Sequence, residues 1–286
     1  MLEVQLPESL QRVDILPSFE PFLLEQAPAE QPECSITILL EQAEAPKPTA
    51  KLLSDVSAIW GEYFRFYEQD NTYLTSIAAA NGRSAYVMHS ARDFSHSSIF
   101  LVPGTAAAPN VLSRFMMVAF GQRCLLYQAV LIHASVISHK GRGYVFLGKS
   151  GTGKSTHSRL WLQHIADTAL LNDDNPVIRL EANGAVYVYG TPWSGKTACY
   201  KNIRVPLQAF VRLQQAAQNQ LQLKSGLKAF LCVLPSCTAI RWNKILFTRM
   251  TDTIEAVVQA LTVATLHCMP NTGAVDACYQ LVPDHK

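Results

Sequence analysis

The sequence predicts a mixed α/β protein, with a β-rich domain over residues 1–108 and an α/β domain over residues 109–286. Three observations carry this. Short aromatic and β-branched runs, separated by turn residues, fill most of the first hundred positions. Pro103-Gly104 and Ala106-Ala107-Ala108-Pro109 then interrupt the pattern near residue 108. Beyond the break, apolar strands alternate with helical segments, and one strand runs directly into a glycine-rich loop.

In the first domain, Ser35 to Leu40 reads as a strand and the Pro/Ala-rich stretch Ala43 to Ala50 as a loop. The aromatic run Tyr63 to Tyr67 is extended, Gln69 to Asn71 turns the chain, and Tyr73 to Ala78 returns. Asn81-Gly82 is the pair that a type I′ hairpin turn demands, because both central residues need positive φ. Ser84 to His89 and Ser98 to Val102 continue the strands.

The second domain opens with helical apolar spacing over Val111 to Val130. Leu131 to Ser138 and Tyr144 to Leu147 read as two strands around the turn His139 to Gly143. A helix of about three turns starts near Lys154. A strand at Leu170-Leu171 stops at Asn172-Asp173-Asp174. Strands Val177 to Leu180 and Val186 to Tyr189 flank Ala182-Asn183-Gly184, and Ala209 to Leu213 and Gln220 to Leu223 are further strands. Leu227 to Val233, Ile245 to Leu261 and Thr272 to Leu281 read as helices.

The chain has 286 residues and is 49% hydrophobic, enough to bury a sizeable core without disulfides. Its net charge of +2, with 16% charged residues, leaves no basic footprint for nucleic acid. Seven cysteines at irregular spacing, with no CxxC pair, read as reduced thiols rather than zinc ligands. The N-terminus carries charges and Pro7 where a signal peptide needs an apolar run, and no stretch is long enough to span a bilayer. The expectation is a soluble cytoplasmic protein that binds neither nucleic acid nor membrane. Assembly into homo-oligomers is compatible with this.

Gly148-Lys149-Ser150-Gly151-Thr152-Gly153-Lys154-Ser155 fits GxxxxGK[ST], and Thr156 continues it. Glycines let successive N–H groups turn inward onto phosphate oxygens, and the following helix adds its positive end. Lys154 then reaches the β- and γ-phosphates of a nucleotide, and the Ser155 hydroxyl ligates Mg²⁺. Gly190-Thr191-Pro192-Trp193-Ser194-Gly195-Lys196-Thr197 fits the same pattern. Only the first match follows an apolar strand and opens an amphipathic helix. The second holds Pro192 and Trp193 where backbone must approach phosphate, so it reads as a loop near the site.

Asp173 and Asp174 end an apolar strand, the position at which ligands bind α/β sheets. One carboxylate there can hold Mg²⁺ and another can accept the proton of an attacking hydroxyl. Without the phosphate loop, the pair would read as an exposed acidic turn. Lys196, Lys201 and Arg204 offer cations for a transferred phosphate or an acidic substrate group, or a solvated surface; Lys196, beside Gly195, is the best placed and Arg204 also stands as a candidate. Trp193 is either a base-stacking residue or a hydrophobic anchor. His133, alone in an apolar strand, reads by itself as a satisfied core residue.

The order of these pieces, LIHASVISHKGRGYVFLGKSGTGKST and then LLNDDNPVIRL, resembles the catalytic domain of the bacterial HPr kinase/phosphorylase family, which is related to ATP-dependent phosphoenolpyruvate carboxykinase. The resemblance covers about residues 111–286. It implies a P-loop kinase domain with ATP and Mg²⁺. Lys154 and Ser155 would serve phosphate and metal, and His133 would pair with one of Asp173 and Asp174 while the other acts as base or metal ligand. The expected activity is transfer of the γ-phosphate to a hydroxyl on a protein, peptide or small molecule. Alternatives are a nucleotide-binding regulatory module without turnover and a carboxykinase-like enzyme. The stretch Gly190 to Thr197 departs from the family's phosphorylase-associated signature, which speaks against HPr as the acceptor.

Overall fold

The structure is a computed structural model that describes residues 2–5, 16–26, 35–41, 51–54, 64–78, 85–100, 109–195 and 197–282. The chain divides into two compact units, Met1–Tyr127 with Ala239–Phe247, and Gln128–Thr238 with Thr248–Lys286. The predicted break near residue 108, the Asn81-Gly82 turn and the Ala43–Ala50 loop lie outside the described residues.

Among the described residues the first unit holds a seven-stranded sheet. Its strands are β1 (Leu2–Gln5), β2 (Ile36–Glu41), β3 (Lys51–Ser54), β4 (Phe64–Gln69), β5 (Thr72–Ala78), β6 (Ala85–Ala91) and β7 (His96–Phe100), in the spatial order β1-β2-β7-β6-β5-β4-β3. The β4–β5 hairpin turns at Asp70-Asn71, with φ of 47° and 61°, the left-handed pair that a type I′ turn requires. Alternating apolar residues of the sheet, among them Ile36, Ile38, Phe64, Phe66 and Met88, are buried. Helix α1 (Pro109–Arg123) packs on β2, β6 and β7, and its Phe115 meets Phe64 edge to face at 6.4 Å. The helix is shorter than its apolar spacing predicts. It gives way to a 3-10 turn at Cys124–Tyr127, because Ala129 to Leu131 is drawn into a buried strand of the second unit. The strands β1 and β3 are too short and too polar to stand out in the sequence.

The second unit is built from β8 (Ala129–Leu131), β9 (Ala134–His139), β10 (Arg142–Leu147), α2 (Lys154–His164), β11 (Thr168–Asp174), β12 (Val177–Leu180), β13 (Val186–Tyr189), β14 (Arg204–Gln215), β15 (Gln220–Lys224), α3 (Gly226–Val233), α4 (Lys244–Ala260, its first turn in the first unit), β16 (Thr262–Cys268) and α5 (Thr272–Tyr279). The long strand β14 organises a nine-stranded sheet among the described residues. Its first residues pair antiparallel with β13, which leads to β12 and β8. The rest of β14 lies parallel between β10 and β16. Buried on both faces, these strands read as near-continuous apolar runs, such as Tyr144 to Leu147. One face is covered by α2 and α5 around Trp161, which is fully buried and stacks on Tyr144 at 5.5 Å.

One predicted strand divides in the structure, and one strand lies where no element was predicted. The predicted strand Leu131 to Ser138 is two strands: β8 pairs with β12, β9 pairs with β10 and β11, and Ile132 and His133 cross between them. The crossing is held by other partners, with the Ile132 N–H donating to the Pro176 carbonyl at 3.1 Å and the His133 N–H to the Ser236 carbonyl at 2.8 Å. Strand β16, beside the central β14, follows directly on the α4 helix. Its run Thr262-Val263-Ala264-Thr265-Leu266 fits a buried strand or a helix equally, and parallel pairing with β14 decides between them.

Candidate active site

The first glycine motif sits where β10 ends and α2 begins. Gly151 and Gly153 have φ of 79° and 104°, which side-chain-bearing residues rarely adopt. Thr152 closes the loop on itself, its N–H and hydroxyl both donating to the Lys149 carbonyl at 3.1 and 2.6 Å. No side chain caps α2 at Gly153, so the first-turn N–H groups remain available to an anion.

Lys154 turns back over this loop. Its Nζ donates to the Gly148 carbonyl at 3.0 Å and lies 2.9 Å from His133 Nε2. Burial pushes its amine pKa down, and Asp174 and Asp173 pull it partly back; Arg212 adds to the lowering. Ser155, next along the helix, donates its hydroxyl to Asp173 Oδ1 at 3.0 Å.

The two aspartates end β11, opposite Ser135 and Ala134 of β9, and they have different surroundings. Asp173 is buried and holds Ser155. Asp174 is about a third exposed at its side chain (32%), and its Oδ1 lies 3.0 Å from His133 Nδ1. Its Oδ2 accepts from Asn175 Nδ2 at 2.8 Å. With Nδ1 donating to the carboxylate, His133 Nε2 is left to accept from the Lys154 ammonium. The interruption between β8 and β9 makes this row possible, because it takes His133 out of the ladder.

Two asparagines not singled out from the sequence shape the turn. Asn172, fully buried, accepts the N–H groups of Asp174 and Asn175 on its Oδ1 at 3.1 and 3.0 Å. Its amide donates to Thr191 Oγ1 and the Trp193 carbonyl, both at 3.2 Å. The signal was present in the sequence, since asparagine side chains close local turns on their own backbone.

The second glycine motif is followed by no helix, and Lys196 within it lies outside the described residues. Its glycines answer to close packing. A Cβ on Gly190 would fall 2.0 Å from the Lys201 carbonyl oxygen, and one on Gly195 would fall 2.9 Å from that of Asp173. The Gly195 N–H donates to the Asp173 carbonyl at 2.9 Å, and Ser194 bridges to Asp174, so the loop braces the aspartate turn. Trp193 is buried within it. Lys201 donates to the Leu170 carbonyl at 2.6 Å. Arg204 is not brought to the first glycine loop: it lies at the start of β14, bonded to Tyr189 Oη at 3.0 Å, over the Tyr187 ring and near Glu181. The residue of β14 that does pair beside the loop, at Leu147, is Arg212.

Among the described residues no cluster of three or more His, Cys, Asp or Glu side chains is placed to hold a metal ion. The six described cysteines are free, with Cys237 pushed up to about 12 by burial. No described helix is long and apolar enough to cross a membrane.

No family model matches the chain, and no curated protein matches it. A solved structure of the HPr(Ser) kinase/phosphatase from Coxiella burnetii is similar at a TM-score of 0.31 and 11% identity, over 53% of this chain and 93% of that one. The likeness is a distant one, and what assembles in this chain is a glycine loop, a buried lysine and a histidine–aspartate pair.

Proposed function

We propose that the protein is an ATP-dependent phosphotransferase of the HPr-kinase-like type, which moves the γ-phosphate of ATP to a hydroxyl group. The observation that carries this is the row Lys154–His133–Asp174 beside the Ser155–Asp173 pair, all at the mouth of the Gly148 to Thr156 loop. Exposure divides the aspartates between two roles. Asp174 is the one that an acceptor hydroxyl reaches, with His133 and Asn175 holding its oxygens in place. The acceptor oxygen forms the new bond to the γ-phosphorus, its proton passes to Asp174, and the bond to the β-phosphate oxygen breaks with its electrons leaving on ADP. Lys154 leaves the loop carbonyls for the β- and γ-phosphate oxygens.

Ser155 and Asp173 offer neighbouring hard oxygen donors and suit Mg²⁺, which takes one or two protein ligands and completes its shell with phosphate and water. A Mg²⁺ ion held there would supply neutralisation of phosphate charge. Phosphate transfer from γ-labelled ATP to cell-extract components by the purified chain, abolished by Lys154→Ala, is the expected result. Binding of ATP with no transfer would leave a regulatory nucleotide-binding module. Phosphoenolpyruvate formed from oxaloacetate and ATP would replace the hydroxyl-kinase reading.

A further inference from the structure

We infer that Arg212 is a positioning residue for the His133–Asp174 pair, acting through the segment that holds the His133 backbone. The inference rests on the site proposed above. Arg212 stands on β14 opposite Leu147, the last residue before the phosphate loop. Its Nε donates to the Cys232 carbonyl at 2.5 Å, in the last turn of α3, and its Nη2 donates to Ser236 Oγ at 3.3 Å. Helix ends leave their final carbonyls without partners, and a cation there is favourable. The guanidinium fork therefore fixes where α3 stops and where the chain turns back.

That turn sets His133. After α3 the chain runs beside the β8–β9 interruption: Ser236 offers its carbonyl to the His133 N–H at 2.8 Å, Cys237 bridges to Ile132, and the Thr238 N–H donates to the Leu131 carbonyl at 3.0 Å. Ser236 thus holds Arg212 with its side chain and His133 with its backbone. Arg212 links the strand beside the phosphate loop to the imidazole that orients Asp174. A lysine reaches one of the two oxygens but lacks the planar fork that reaches both.

The test uses the full chain with ¹⁵N-labelled histidine. In the wild type, the His133 ring nitrogens report one protonated and one hydrogen-bond-accepting nitrogen. Arg212→Met should shift these signals toward mixed tautomers while the thermal midpoint stays within a few degrees. Arg212→Lys should recover part of the wild-type pattern. MgATP affinity should change by less than ~3-fold, while the rate of phosphate transfer falls by about 100-fold, the size expected of an ångström-scale misplacement. If Arg212→Met does not fold, Ser236→Ala removes only the Nη2 link and should move the same signals to a smaller extent. Unchanged His133 signals in a folded Arg212→Met or Ser236→Ala protein would overturn the inference. So would a loss of MgATP affinity of ~10-fold or more with His133 unmoved, which would make Arg212 a phosphate contact. A shift of the His133 signals in a chain that transfers no phosphate would sustain the inference and sink the function proposed above.

Discussion

His133 Nδ1 stands 3.0 Å from Asp174 Oδ1, joining a residue that lies between two strands to one that ends a third. The same imidazole reaches Lys154 through its other nitrogen, so one ring connects the first glycine loop to the more exposed carboxylate. Several expected outcomes rest on that connection and on the core beneath it.

Burial disfavours the charge of Lys154 by more than Asp174 and Asp173 favour it, so its place in the fold is costly rather than stabilising. Lys154→Met should leave stability unchanged or raise it by about 1 kcal/mol, while abolishing phosphate transfer and weakening MgATP binding at least ~10-fold. Thermal melts, calorimetric ATP titration and γ-labelled ATP together check this.

The two aspartates should separate in kinetics. Asp173→Asn should raise the Mg²⁺ concentration needed for half-maximal activity, because Asp173 holds Ser155, its partner in the proposed metal site. Asp174→Asn should lower the transfer rate by roughly 10²- to 10⁴-fold with little effect on MgATP affinity, as removal of a general base does. Initial rates against Mg²⁺, with ATP binding measured alongside, would refute the assignment if the two variants exchanged these effects.

His157 lies on the buried face of α2, its ring edge-on to Phe146 at 4.6 Å and its Nε2 accepting from Trp161. Burial pushes its pKa down to about 4 from the ordinary 6.5. The folded value lies below the unfolded one, so its stabilising contribution is fully present above about 6.5 and is lost as the pH falls toward about 4. The gap is worth about 3 kcal/mol at most. His157→Gln should therefore lose less stability than the wild type between pH 7 and pH 4.5. Urea unfolding at the two pH values measures the difference, and parallel losses in both proteins would contradict it.

Asn172 ties the aspartate turn to the second glycine loop from a fully buried position. Asn172→Ala should cost about 2–3 kcal/mol, since it leaves buried donors and acceptors unmatched. Hydrogen exchange should quicken at the Asp174 and Asn175 amides, which lose their acceptor, ahead of the rest of β11.

Local chemistry made a large part of this protein legible. Apolar and aromatic runs between turn residues located most strands, and GxxxxGK[ST] after an apolar run located a glycine loop that opens a helix, because positive-φ glycines and a helix start are local requirements. The mixed α/β character followed from the same patterns. The tertiary structure decided the rest. It split the His133 strand, since Pro176 and Ser236 compete for its backbone hydrogen bonds. It made β16 a strand beside β14, and it left Arg204 among tyrosines while Arg212 came to lie beside the first glycine loop. It turned the second glycine motif into a brace for Asp173 and Asp174, where glycine answers to a neighbouring carbonyl rather than to phosphate. Each of these depends on a partner distant in the chain, and periodicity and spacing register only what lies nearby.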